Sequence, residues 1–119
     1  MQMTNDEIVM RYRQARMVNY MKAVKIEYHR VIEIEIENTL EALQEAVDGY
    51  IETVPIRHIS PDKAIMIVNE EGLLRGLDPN HTASLYADRL IVGTALVVGV
   101  KGEEYTDVPE DVARDIHIR

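Results

Sequence analysis

Two stretches of the chain alternate apolar and polar residues with a period of two. Val24, Ile26 and Tyr28 alternate with Lys25, Glu27 and His29, and Ile32, Ile34 and Ile36 alternate with Glu33, Glu35 and Glu37. That period marks strands with one face buried and one solvated. The two runs nearly touch at His29-Arg30, where no Gly, Asn or Asp favours a tight turn. A hairpin and one long bent strand are both open.

Elsewhere the period changes. Leu40, Leu43 and Val47 fall at i, i+3 and i+7, an apolar stripe that predicts a helix over 39–48. Asn38-Thr39 supplies its cap, and Gly49 is expected to close it in the left-handed conformation. A strand over Tyr50–Val54 follows, closed by Pro55. Ala64–Val68 and Leu90–Val98 are continuously apolar, as in central strands covered on both faces. The 39–48 helix can cover one face. The other needs the N-terminal helix, the segment around 81–87, or another subunit, which motivates a homo-oligomer.

The ends read as helices. Thr4-Asn5-Asp6-Glu7 opens an N-terminal helix over 1–18, with Ile8, Tyr12 and Ala15 on one face and Arg11, Arg13 and Arg16 near its end. In the tail over 101–119, Asp107 and Glu110 form a capping pair around Pro109, with Val112 and Ile116 as apolar positions. The expectation is one α+β domain over 1–119, with a core over 21–100. Its sheet is mixed or mostly antiparallel, and the 39–48 helix packs on one face.

Composition narrows the function. The 119 residues include no Cys, which removes disulfides, thiolate nucleophiles and cysteine-ligated zinc. No Phe or Trp is present, so Ile, Val, Leu and Met must build the core. The net charge of -8 argues against binding nucleic acid by phosphate neutralisation. The start "MQMTNDEIVM" lacks an apolar signal core, and the longest apolar run is far short of the roughly 20 residues of a membrane span. These features point to a cytoplasmic protein with no membrane partner.

The stretch "IVNEEGLLRGLDPN", residues 67–80, carries the candidate chemistry. Asn69-Glu70-Glu71-Gly72 fits a type I turn, giving a hairpin or sharp reversal before Leu73-Leu74. Adjacent glutamates on such a turn point apart, which disfavours a carboxylate dyad. Asn80 is placed to cap a helix through Leu85-Tyr86, whose first amides, around His81 and Thr82, offer an anion site. Arg57, Arg75 and Arg89 could add charge, and Tyr50 or Tyr86 could stack a base. The candidate ligand-binding set is therefore Tyr50, Arg57, His58, Asn69, Arg75, Asn80, His81 and Tyr86. His29, His58, His81 and His117 show no metal-binding spacing, and no nucleotide-loop or nucleophile motif is present. No metal, cofactor or catalytic residue is assigned, and an enzyme is the less favoured class.

"LEALQEAVDGYIETVPI", "AIMIVNEEGLLRGLDPN" and "IVGTALVVG" together resemble a small uncharacterised domain family of phages and other mobile elements. The marks of the resemblance are Leu43-Gln44, Gly49 to Glu52, Asn69 to Gly72, Pro79-Asn80 and Gly93-Thr94, spanning about residues 21 to 100. The resemblance implies an accessory protein, with counter-defence by sequestering a nucleotide signal as an analogy of setting. Three functions follow as expectations. The first is a non-enzymatic, homo-oligomeric binder of a small nucleotide-like anion. The second is an interaction module whose Glu33, Glu35, Glu37 and Glu41 mimic nucleic acid or dock a basic protein. The third is a nucleotide hydrolase or lyase using His58 or His81 with Glu70.

Overall fold

In the computed structural model, which describes residue 2, residues 4–8 and residues 19–118, the alternating runs become the first two strands of an antiparallel sheet. The elements are β1 (Tyr20–Ile26), β2 (Val31–Glu37), α1 (Leu40–Val47), β3 (Ile51–Val54), β4 (Ala64–Asn69), α2 (His81–Ala87), β5 (Ala95–Lys101), β6 (Glu104–Thr106) and α3 (Glu110–Ile118). The six strands run in the order β2-β1-β5-β4-β3, with β6 paired to β5. This is a single α+β domain.

The β1–β2 question resolves as a hairpin. Ile26 pairs with Val31, which leaves a four-residue loop, Glu27 to Arg30. A two-residue turn needs positive φ at its centre and hence Gly or Asn, whereas a four-residue loop does not. The Glu27 amide donates to the Arg30 carbonyl (2.8 Å), and Arg30 Nε donates to Glu27 Oε1 (3.0 Å).

Strand alternation sorts the apolar side chains into two layers. Met21, Ala23, Ile67, Leu96 and Val98 lie on one face beneath Leu43 and Val47 of α1. Val24, Ile26, Met66, Val68, Ala95 and Val97 lie on the other, covered by Ala83 of α2 and by Val112, Ala113 and Ile116 of α3. The continuous apolarity of β4 thus reflects a sheet buried on both faces, and the chain's own helices cover it. Among the described residues, no helix is long and apolar enough to cross a membrane.

Several boundaries depart from the sequence-based expectation. The turn expected at Asn69–Gly72 is present, the Gly72 amide donating to the Asn69 carbonyl (3.3 Å), but further turns follow it through residue 76 in place of a returning strand: the Arg75 amide donates to the Glu71 carbonyl and the Leu77 amide to the Gly72 carbonyl. The strand expected from Leu90 begins only at Ala95, because Val92 is drawn into an isolated bridge with Pro79. Thr39 caps α1 as expected, its Oγ1 accepting the Ala42 amide (3.2 Å). The left-handed residue at the other end is Asp48 (φ 63°), one position before the expected Gly49. Asp107 bonds across space, its Oδ1 accepting the Lys22 amide (2.8 Å), while the Val108 amide donates to the Lys22 carbonyl (2.9 Å). Residues 5–8 are helical, and the Glu7 amide donates to Thr4 Oγ1 (3.2 Å). The rest of the expected N-terminal helix, including Arg11, Arg13 and Arg16, lies outside the described residues.

Gly99 sits in β5 between Ala64 of β4 and Thr106 of β6. A Cβ there would collide with the Asp107 carbonyl, which is backbone and cannot rotate away. Gly99→Ala is expected to push residues 106–108 off the sheet and cost about 1–3 kcal/mol, an overpacking penalty measurable by urea denaturation.

Candidate functional site

The polar residues singled out in residues 67–80 turn out to hold the layers together. Asn69 is buried, and its Nδ2 donates to the carbonyls of Val47 and Asp48 (3.0 Å each) at the end of α1. Its Oδ1 accepts the Glu71 amide (2.7 Å), which shapes the following turn. Arg75 Nη1 also donates to the Asp48 carbonyl, and Nη2 lies 3.1 Å from the Asp48 carboxylate. α1 has no basic residue in its last turn, so a guanidinium from a distant loop meets its negative end. Gly49 gives the space for this, because a Cβ there would come within 2.8 Å of Asn69 Nδ2.

Asn80 is buried more deeply still. Its Nδ2 donates to the carbonyls of Ile26 (2.9 Å) and Gly93 (2.8 Å), and its Oδ1 caps α2 by accepting the Ala83 amide (3.1 Å). The cleft beside it, about 310 Å³, has Glu27, Asp48 and Asp78 as its charged residues. Three acids do not suit a phosphate, so this cleft itself is a poor place for an anion. His81 is the exposed first residue of α2. Tyr50 is exposed beside Arg75, Asn69 and Gln44 in a shallow depression of about 260 Å³. Arg57, Arg75 and Asn80 therefore occupy three separate clefts.

Arg57, His58 and Tyr86 do come together. They line a solvent-open cleft of about 630 Å³ with Ile59, Lys63, Leu85, Asp111, Val112 and Asp115. One wall is the β3–β4 loop, pinned to α2 by the Arg57 amide donating to the Tyr86 carbonyl (2.7 Å). A turn follows in which His58 takes φ 65° and the Ile59 amide donates to the Ile56 carbonyl (3.1 Å). The opposite wall is α3, fixed to α2 by Tyr86 Oη donating to the Asp115 carbonyl (3.2 Å). Lys63 Nζ bridges the two walls to Asp111 Oδ2 at 2.5 Å. Arg57 lies 3.9 Å from Asp88, with both side chains largely exposed and the pair weakly held.

The hydrogen bond from Lys63 holds the Asp111 carboxyl below its ordinary value; desolvation opposes it and the ammonium charge assists. Lys63, Asp111 and Asp115 escaped the sequence reading. A signal existed for the acids: they stand at i and i+4, and so on one face, of the expected tail helix. Glu70 belongs to a different cleft from His58, so the proposed His–Glu pair does not assemble there. Among the described residues, no group of three His, Cys, Asp or Glu is placed to hold a metal ion.

Fold and cleft together define a small antiparallel α+β domain whose loop and two helices enclose an open, mixed-charge cleft. The model of the family DUF3846, a domain of unknown function, matches residues 21–118, and the chain belongs to that family. The match takes in α3, which the resemblance noted in the sequence had left out. No curated protein matches the chain. A crystal structure of small RNA methyltransferase HEN1 is similar over 97% of this chain, with a TM-score of 0.60 and 16% identity. The matched part is 18% of that protein's chain, and the likeness is one of fold alone.

Asn80→Ala strands two carbonyls and a helix amide, and is expected to cost about 2–4 kcal/mol by chemical denaturation. Asn80→Asp keeps the cap acceptor but sets a carboxylate against two carbonyl oxygens, so it should not rescue. In an acid titration followed by NMR, Asp111 should stay ionised below the ordinary aspartate range, and Lys63→Met should return it there. Because its folded-state value is lowered, Asp111 favours the fold above the ordinary aspartate pKa, and that contribution fades as pH falls through the lowered value.

Proposed function

We propose that this protein is a non-enzymatic binder of a small nucleotide-like anion, held in the cleft between the β3–β4 loop, α2 and α3. The convergence of Arg57, His58 and Lys63 beside Tyr86 carries this reading. The volume falls within the range of about 300–1,000 Å³ typical of small-ligand sites. The two walls divide the recognition. Arg57 and His58 suit a phosphate, Tyr86 and Leu85 offer a surface for a base, and the carboxylates of Asp111 and Asp115 suit sugar hydroxyls. Those same carboxylates repel a bare polyphosphate, so a ligand with one phosphate per sugar fits better. Held without turnover, such a ligand would be withdrawn from solution, the action that a counter-defence role requires.

The rival acidic-module reading has less geometric support. Alternation puts Glu33 and Glu35 of β2 on the sheet face opposite Ile34, and hence opposite α1, which carries Glu41. The four glutamates do not form one surface.

Calorimetry with adenosine monophosphate, cyclic dinucleotides and ADP-ribose should yield binding heat from at least one. Arg57→Ala should weaken that binding about 10- to 150-fold, the loss of a charged hydrogen bond. Silence from all of them, or binding indifferent to both Arg57→Ala and Tyr86→Ala, would overturn the assignment. Mass spectrometry of the bound compound after incubation should find it unchanged, which separates capture from hydrolysis.

A further inference from the structure

β3 is the outermost strand at one end of the sheet. The Glu70 amide donates to the Tyr50 carbonyl (2.8 Å), in register with the β3–β4 ladder. Bonded residues alternate along an antiparallel pair, so Glu52 and Val54 bond inward to β4. Ile51 and Thr53 then turn their N–H and C=O groups outward, off the sheet.

Beside this edge runs a groove of about 310 Å³ whose lining includes Glu52, Val68, Leu73, Leu74, Arg89 and Leu90. The leucines are conspicuous: Leu73 is 68% exposed, Leu74 87% and Leu90 58%. Three large aliphatic side chains next to an open sheet edge mark an association surface.

The two ends of the sheet differ in what they admit. On β2, Glu33 and Glu35 are exposed, and pairing with a second β2 would bring glutamates together across the strands. The rim of β3 carries both signs, with Arg89 3.8 Å from Glu52. A patch holding an acid and a base side by side is self-complementary about a two-fold axis, where each can meet its opposite on the mate. We infer that the β3 edge, with Leu73, Leu74 and Leu90, forms a two-fold interface with a second copy of this chain. The net charge of -8 on each copy opposes the contact, so the dimer tightens as salt screens it.

Sedimentation equilibrium of the full chain at micromolar concentration should give twice the 13.6 kDa chain mass, reverting on dilution. Hydrogen exchange at the Ile51 and Thr53 amides should slow as concentration rises. Leu74→Glu alters a side chain that projects into solvent, and should raise the dissociation constant about tenfold or more. Thr53→Pro removes one outward donor and should act in the same direction; if circular dichroism shows it misfolded, Leu74→Glu decides. A monomer at every concentration, as expected if the edge instead takes an extended segment of another protein, would overturn the inference. So would a dimer that Leu74→Glu leaves unchanged.

Discussion

Burying a sheet on both faces removes the nearby ends of helices and strands from water, and their polar groups must find partners inside the protein. Two asparagines meet that demand. Asn69 closes the carbonyl end of α1, and Asn80 joins the end of β1, the strand approach at Gly93 and the start of α2. Each uses both donors and its acceptor. An amide is the side chain for this task, since a carboxylate would face carbonyl oxygens and an aliphatic residue would leave them unpaired. The layering of α1, sheet, and α2 with α3 rests on these contacts as much as on the aliphatic core.

That demand decides where recognition is possible. Residues committed to carbonyls of their own chain cannot also hold a ligand without loosening the layers. Asn69, Arg75 and Asn80 are committed in this way, whereas Arg57 and His58 line an open cleft beside Tyr86 and Lys63, whose polar ends are bonded to the Asp115 carbonyl and the Asp111 carboxylate. The cleft is built from connections and helix surfaces, which can vary while the sheet beneath stays fixed.

Much of the architecture was legible because its cause is local. The period-two runs gave β1 and β2, the Leu40–Val47 stripe gave α1 with its Thr39 cap, and Val112 and Ile116 gave α3. The failures share a different cause. Asn69-Glu70-Glu71-Gly72 makes the turn its residues favour, but the distant end of α1 decides what the Asn69 and Arg75 side chains bond. Leu90 to Val92 looks like strand until Pro79 captures it. β6 is three residues long, too short to show a period. For the site, residue type pointed to Arg57, His58 and Tyr86, but Lys63 joins them only through its contact with Asp111, 48 residues away.

The position of β5 also sets how the molecule can assemble. β1 with β2, and β3 with β4, are hairpins of neighbouring sequence, joined by connections of four and nine residues. Neither can complete its two-sided burial until β5 enters between β1 and β4, pairing Val97 with Val24 on one side and Met66 on the other. The Val24–Val97 contact closes a long loop of chain, and that entropic cost falls due before the apolar layers reward it. Until β5 is in place, two half-buried hairpins share one chain without a common core.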